Sequence, residues 1–254
     1  MHRTKVVVDD KGEVFVERFK PIRRLEHLLG MVTFIVLVLT GFPQSFQGDW
    51  SIALINSLGG IEQVRWIHRI AGVVFAIHAL VHLAAIFFGL LTKRMRLNLL
   101  PGPQDLRDAC HNLGYYMGTR EEPPPLPKFD YRQKFEYLGM VLGGLVMIGS
   151  GFVLLFPIEA ASIFPGQFIP AAQVAHSNEA LLALLVLVVW HIYGSHLSPE
   201  VFPADTTIFS GYISKTELEE RHKLEHERLF GTEASDLSDR AEAVTSPVKV
   251  PTKR

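Results

Sequence analysis

Cysteine is almost missing from these 254 residues: Cys110 is the only one. A disulfide framework and a cysteine-ligated zinc or iron–sulfur centre are therefore excluded within the chain. The pair Cys110-His111 also lacks the earlier cysteine of a C-x-x-C-H attachment site, so no thioether-linked prosthetic group is expected. Charge is scarce in a more selective way. The net charge is only −1, which says nothing about partners, and four long stretches hold just two charged residues between them, Arg69 and Glu179. The first 27 residues are polar and show no short apolar core before a cleavage site. No removable signal peptide is expected, and the first apolar stretch would act as its own insertion signal.

What is abundant is hydrocarbon, at 48 % hydrophobic residues and a mean hydropathy of +0.21. It is grouped into four stretches of membrane-spanning length, roughly Leu28 to Phe46, Trp66 to Leu91, Leu138 to Pro157 and Ser177 to His196. The expected fold is all-α, an integral membrane four-helix bundle. Lysine and arginine number seven in residues 1–24, one before the second stretch, eight between the second and third, none between the third and fourth, and eight after residue 197. That asymmetry predicts both termini and the central loop in the cytoplasm.

Three divisions follow: a cytoplasmic arm over 1–24, a membrane domain over 25–198 with a cytoplasmic loop at 92–134, and a C-terminal segment over 199–254. The arm reads as strand, turn and strand around Asp10-Lys11-Gly12. Trp50 and Trp66 suit the headgroup level. The central loop ends in a stiff "EEPPPLP" spacer. Residues 215–230 predict one charged helix with Leu218, Leu224 and Phe230 available for docking, and 231–254 read as disordered. No internal repeat is strong enough in the sequence to argue from.

Histidines carry the chemistry. His176 and His191 lie fifteen residues apart in the fourth stretch, roughly 22 Å along a helix and within about 60° of one face. His68 and His82 repeat this in the second stretch with fourteen residues, roughly 21 Å and about 40° short of four turns. With alternating helix directions, His68 and His176 meet at the outer level, and His27, His82 and His191 at the inner one. A ring nitrogen in hydrocarbon needs a partner, and two stacked haems, each iron held by imidazoles from different helices, would use these levels. Gly72 and Ala180 offer room beside the rings. Arg65 and Arg69, with Arg23 and Arg24 at the other surface, could neutralise propionates or simply anchor the helices. His78 reads as packing, His196 as a snorkelling edge residue, and His2, His111, His222 and His226 as solvated.

The segments "RRLEHLLGMVTFIVLVLTGF", "RWIHRIAGVVF", "RQKFEYLGMVLGGLVMIGSGFVLLF" and "HSNEALLALLVLVVWHIY" resemble, in order and spacing, the di-haem cytochrome b subunits of membrane-bound formate dehydrogenases. The branch paired with multihaem c-type cytochromes is the closest in flavour, and the resemblance runs over about residues 18–222. It implies two haem b groups, His68 with His176 at the outer one and His27 with His191 at the inner one. His82 matches a histidine of the multihaem-linked branch and competes for the inner position. It also implies a quinone, menaquinone or ubiquinone, beside the inner haem, contacted by residues matching Gln133 and Asp130, the latter in place of an asparagine. The chain would then be an electron-transfer subunit in a bacterial cytoplasmic membrane, partnered with a formate dehydrogenase, hydrogenase or multihaem cytochrome. The rivals are a histidine-lined metal or ion transporter and a haem-free anchor whose histidines glue helices.

Overall fold

The computed structural model describes residues 4–93, 98–199 and 201–231. Four helices are long and apolar enough to cross a membrane. They are α1 (Pro21–Ser45), α3 (Ile61–Leu91), α5 (Tyr131–Leu155) and α7 (Phe168–Leu185), the last running on as a π-helix over Val186–Leu197. Short helices α2 (Asp49–Ser57) and α6 (Pro157–Ile163) follow α1 and α5, and α4 (Pro103–Tyr116) lies in the central loop. The expected all-α membrane bundle is the architecture found. Its spans turn apolar side chains outward, with Leu39, Ile77, Leu142 and Val189 all about half exposed or more. Lipid, not water, is the solvent that makes such surfaces stable, because helices satisfy their backbone groups internally.

The described residues fall into two compact units. One draws on Met1–Leu25, Asn98–Phe135 and Gly194–Arg254; the other on Glu26–Leu97 and Glu136–Tyr193. In the first unit the expected hairpin is present. Strands β1 (Val6–Val8) and β2 (Val14–Glu17) pair antiparallel, Val6 opposite Val16. The Asp9 carboxylate accepts from the Lys11 and Glu13 amides at 2.9 and 2.8 Å, and Gly12 takes the positive φ of 82° that closes the turn. A third strand, β3 (Tyr212–Ser214), was not expected. It pairs antiparallel with β2, Val16 opposite Ile213.

That strand changes the reading of the C-terminal segment. Val16, Ile213 and Leu218 form a small buried core with Leu229 and Phe230 packed on it, so Leu218 is consumed inside the unit and not available for docking. The predicted single helix is two, α9 (Lys215–Arg221) and α10 (Lys223–Phe230), after the four-residue α8 (Thr207–Ser210). The break is His222, expected to be solvated but buried, with its Nδ1–H donating to the Pro127 carbonyl at 2.8 Å. Burial and the nearby Arg18 guanidinium push its pKa down to about 3. Residues 232–254, expected to be disordered, and His2 lie outside the described residues.

Candidate metal-ligand pairs in the membrane unit

Within the unit built from Glu26–Leu97 and Glu136–Tyr193, four histidines meet as two pairs. The rings of His68 on α3 and His176 on α7 have centres 6.3 Å apart, and those of His27 on α1 and His191 on the π-helix 6.1 Å apart. With a metal–imidazole bond of about 2.0 Å and a ring centre roughly 1.1 Å from its nitrogens, two imidazoles on opposite sides of one metal would have centres about 6.2 Å apart. Both spacings fit a metal between the rings. A porphyrin fits the donor set, because it supplies the other four iron ligands and needs only an axial pair from the protein.

Ring orientation is fixed by a neighbour on Nδ1. The Thr40 hydroxyl on α1 lies 2.9 Å from His68 Nδ1, and the Ser150 hydroxyl on α5 lies 2.9 Å from His176 Nδ1. Each hydroxyl has one proton and donates it to its own helix, Thr40 to the Val36 carbonyl and Ser150 to the Val146 carbonyl, both at 2.6 Å. Toward the ring each hydroxyl must therefore accept, so Nδ1 carries the hydrogen. The lone pair is left on Nε2, the nitrogen a metal would take. His191 reaches the same state by another route, its Nδ1–H donating to the Glu136 carboxylate.

Glycine makes room for two of these rings. A methyl built on Gly41 would lie 2.9 Å from His68 Cε1, and one on Gly151 would lie 3.3 Å from His176 Cε1. Gly41 and Gly151 each sit one residue after the hydroxyl, so one helix turn both holds the ring and admits it. The glycine singled out from sequence, Gly72, has nothing within 4 Å of such a methyl, so it makes no notch for a ring.

The remaining sequence candidates separate. His82 contacts Tyr137 and Glu26. Its Nε2 is 3.1 Å from the Tyr137 hydroxyl, and its Nδ1 is 3.4 Å from the Glu26 carboxylate. Arg65 pairs with Glu62 at 3.0 Å, and Arg69 is exposed. In the other unit, Asp130 and Gln133 form a capping box at the start of α5. The Gln133 amide donates to Asp130 Oδ1 at 2.9 Å, and the Asp130 amide donates to Gln133 Oε1 at 3.2 Å. Asp130 also accepts from Arg132 at 2.9 Å. Among the described residues, no three or more His, Cys, Asp or Glu side chains converge on one metal position.

Sequence reasoning missed Thr40, Ser150, Gly41, Gly151 and Glu136. The signal was available as a hydroxyl-glycine-phenylalanine triplet in each of two spans, "TGF" at 40–42 and "SGF" at 150–152.

A helical membrane bundle with four helices of spanning length and two histidine pairs is the class that fold and site define. Residues 95–202 match the family model described as prokaryotic cytochrome b561. The match covers less than half of the chain, and what it gives is a similarity to a family of prokaryotic b-type cytochromes. The matched segment contains His176, His191, Asp130 and Gln133; His27, His68 and His82 precede it. No curated protein matches the chain.

Proposed function

We propose that this chain carries electrons through two haem b groups between a membrane quinone and a partner redox subunit, in the manner of the formate dehydrogenase gamma type. The observation that carries the reading is the pair of imidazole pairs, 6.3 and 6.1 Å between ring centres, in one membrane unit. His68 and His176 would hold one haem, His27 and His191 the other. A haem so held supplies reversible one-electron carriage. The chain's own residues set the conditions: Thr40 and Ser150 keep two rings in the Nδ1–H form with neutral partners, while Glu136 places a negative charge behind His191.

The lysine and arginine count supports an orientation with both termini and the central loop on the cytoplasmic side of the inner membrane. A quinone contact at Asp130 and Gln133 would share groups already used in the capping box. The partner fits an enzyme or multihaem cytochrome subunit, since the membrane unit offers axial ligand pairs and no convergent protein metal cluster among its described residues.

The test is a haem count per chain with a reduced-minus-oxidised spectrum on purified protein. Two b-type haems, falling to one in His176→Ala, are expected. A colourless wild-type protein would overturn the reading and favour a histidine-lined transporter or a haem-free anchor.

A further inference from the structure

The membrane unit repeats one pattern of long, short and long helix, and the two halves can be aligned in sequence. Residues 25–46 and 135–156 align without gaps, 110 residues apart, as "LEHLLGMVTFIVLVLTGFPQSF" and "FEYLGMVLGGLVMIGSGFVLLF". Six positions are identical (Glu26, Leu28, Val36, Gly41, Phe42 and Phe46 against Glu136, Leu138, Val146, Gly151, Phe152 and Phe156), and Thr40 matches Ser150. Each first helix is followed by a short helix and then a second long one, α1–α2–α3 and α5–α6–α7. His68 then matches His176, and His82 matches His191. The second half has one residue more between its histidines, and the wider winding of Val186–Leu197 is where a helix absorbs an extra residue.

The contacts obey the same repeat. Thr40 holds His68 as Ser150 holds His176. Glu26 faces His82 Nδ1 as Glu136 faces His191 Nδ1. Phe42 stacks on Phe46, with ring centres 5.3 Å apart, as Phe152 stacks on Phe156 at 6.3 Å. Across the halves the pattern is reciprocal, as in a self-complementary interface where i meets j and j meets i. His68 meets its own counterpart. His27 of the first half meets His191 of the second, and Tyr137 of the second, the counterpart of His27, meets His82 of the first at 6.0 Å between ring centres.

We infer that Tyr137, His82 and Glu26 form a second, quasi-equivalent haem-ligand site that is closed in this chain by one residue, the phenol standing where an imidazole would complete the pair. With the proton of His82 on the Nδ1 that lies 3.4 Å from Glu26, its Nε2 accepts the Tyr137 hydroxyl hydrogen, and the lone pair a metal would need is used. The repeated pattern thus supplies one axial site of paired counterparts, His68 with His176, and two exchangeable ones, of which only His27 with His191 carries two imidazoles. His82 is a ligand held in reserve, and residue 137 decides which face of the unit takes the iron.

The inference rests on His27 and His191 being the ligands of one haem, and the test separates the two. Haem per full-length chain and the low-spin spectrum are measured for His27→Phe, for His27→Phe/Tyr137→His, and for the same double variant carrying His82→Phe. The expected counts are one, two and one. A parallel series on His27→Ala covers poor accumulation of any single variant, and the haem held by His68 and His176 reports that each variant is folded. A count of one in both double variants would overturn the inference. Retention of two haems in His27→Phe would overturn the ligand assignment beneath it.

Discussion

Replacing Glu136 by Gln removes a negative charge behind His191 while keeping a hydrogen-bond acceptor for its Nδ1–H. The carboxylate touches one side of the imidazole and the iron would bind the other, a charge-to-metal distance of roughly 7 Å. At an effective dielectric of about 20, a unit charge at that distance is worth about 2.4 kcal/mol, and partial exposure of both side chains reduces this. For a one-electron couple about 1.4 kcal/mol corresponds to about 59 mV, so the haem on His27 and His191 should rise in midpoint potential by on the order of 50–100 mV. The haem on His68 and His176, whose ring partners are the neutral Thr40 and Ser150 hydroxyls, should move far less. A spectroelectrochemical titration resolving both haems reads this directly. A shift below about 20 mV in the haem on His27 and His191, against the magnitude expected at that dielectric, or an equal shift in both haems, would refute the assignment of Glu136 to one haem.

Gly41→Ala puts a methyl 2.9 Å from His68 Cε1 and should displace the ring, lowering the content of one haem, whereas Gly72→Ala meets nothing within 4 Å and should leave the spectrum unchanged; comparing the two spectra checks this. Asp130→Ala removes the α5 capping box and should cost about 1 kcal/mol of stability, seen as a lower thermal midpoint with both haems retained. His222 gives a pH dependence: its pKa in the folded chain is about 3 against 6.5 when unfolded, so the folded state binds fewer protons. The stability it contributes is complete above about pH 6.5 and falls by up to about 1.4 kcal/mol per pH unit below it, down toward pH 3. Protection factors of the β2 and β3 amides, taken relative to intrinsic exchange at each pH, should therefore fall between pH 7 and pH 5, and His222→Gln should flatten that slope; an unchanged slope would contradict it.

The four spans were legible because hydropathy over twenty residues is a strong signal, and the N-terminal hairpin because Asp9, Lys11 and Gly12 carry turn chemistry. β3 was not, since Tyr212–Ser214 is three residues long and pairs across nearly two hundred residues of chain. Helical spacing placed His27, His82 and His191 at one level without choosing between them. The choice lies in the residues facing His82 and His191, and Tyr137 against His27 is visible only once the two hairpins are aligned. That alignment hides in sequence because its identities are sparse among interchangeable apolar residues, and because one extra residue separates His176 from His191. The resemblance implies a quinone contact at Asp130 and Gln133, and their spacing of three is also that of the capping box they form.

The most direct test of two haems held by crossed histidine pairs is the haem content of His27→Ala beside that of His82→Ala, each measured on the purified full-length chain. Loss of one haem in His27→Ala and of none in His82→Ala is the predicted result. Loss in His82→Ala with both haems kept in His27→Ala would contradict it.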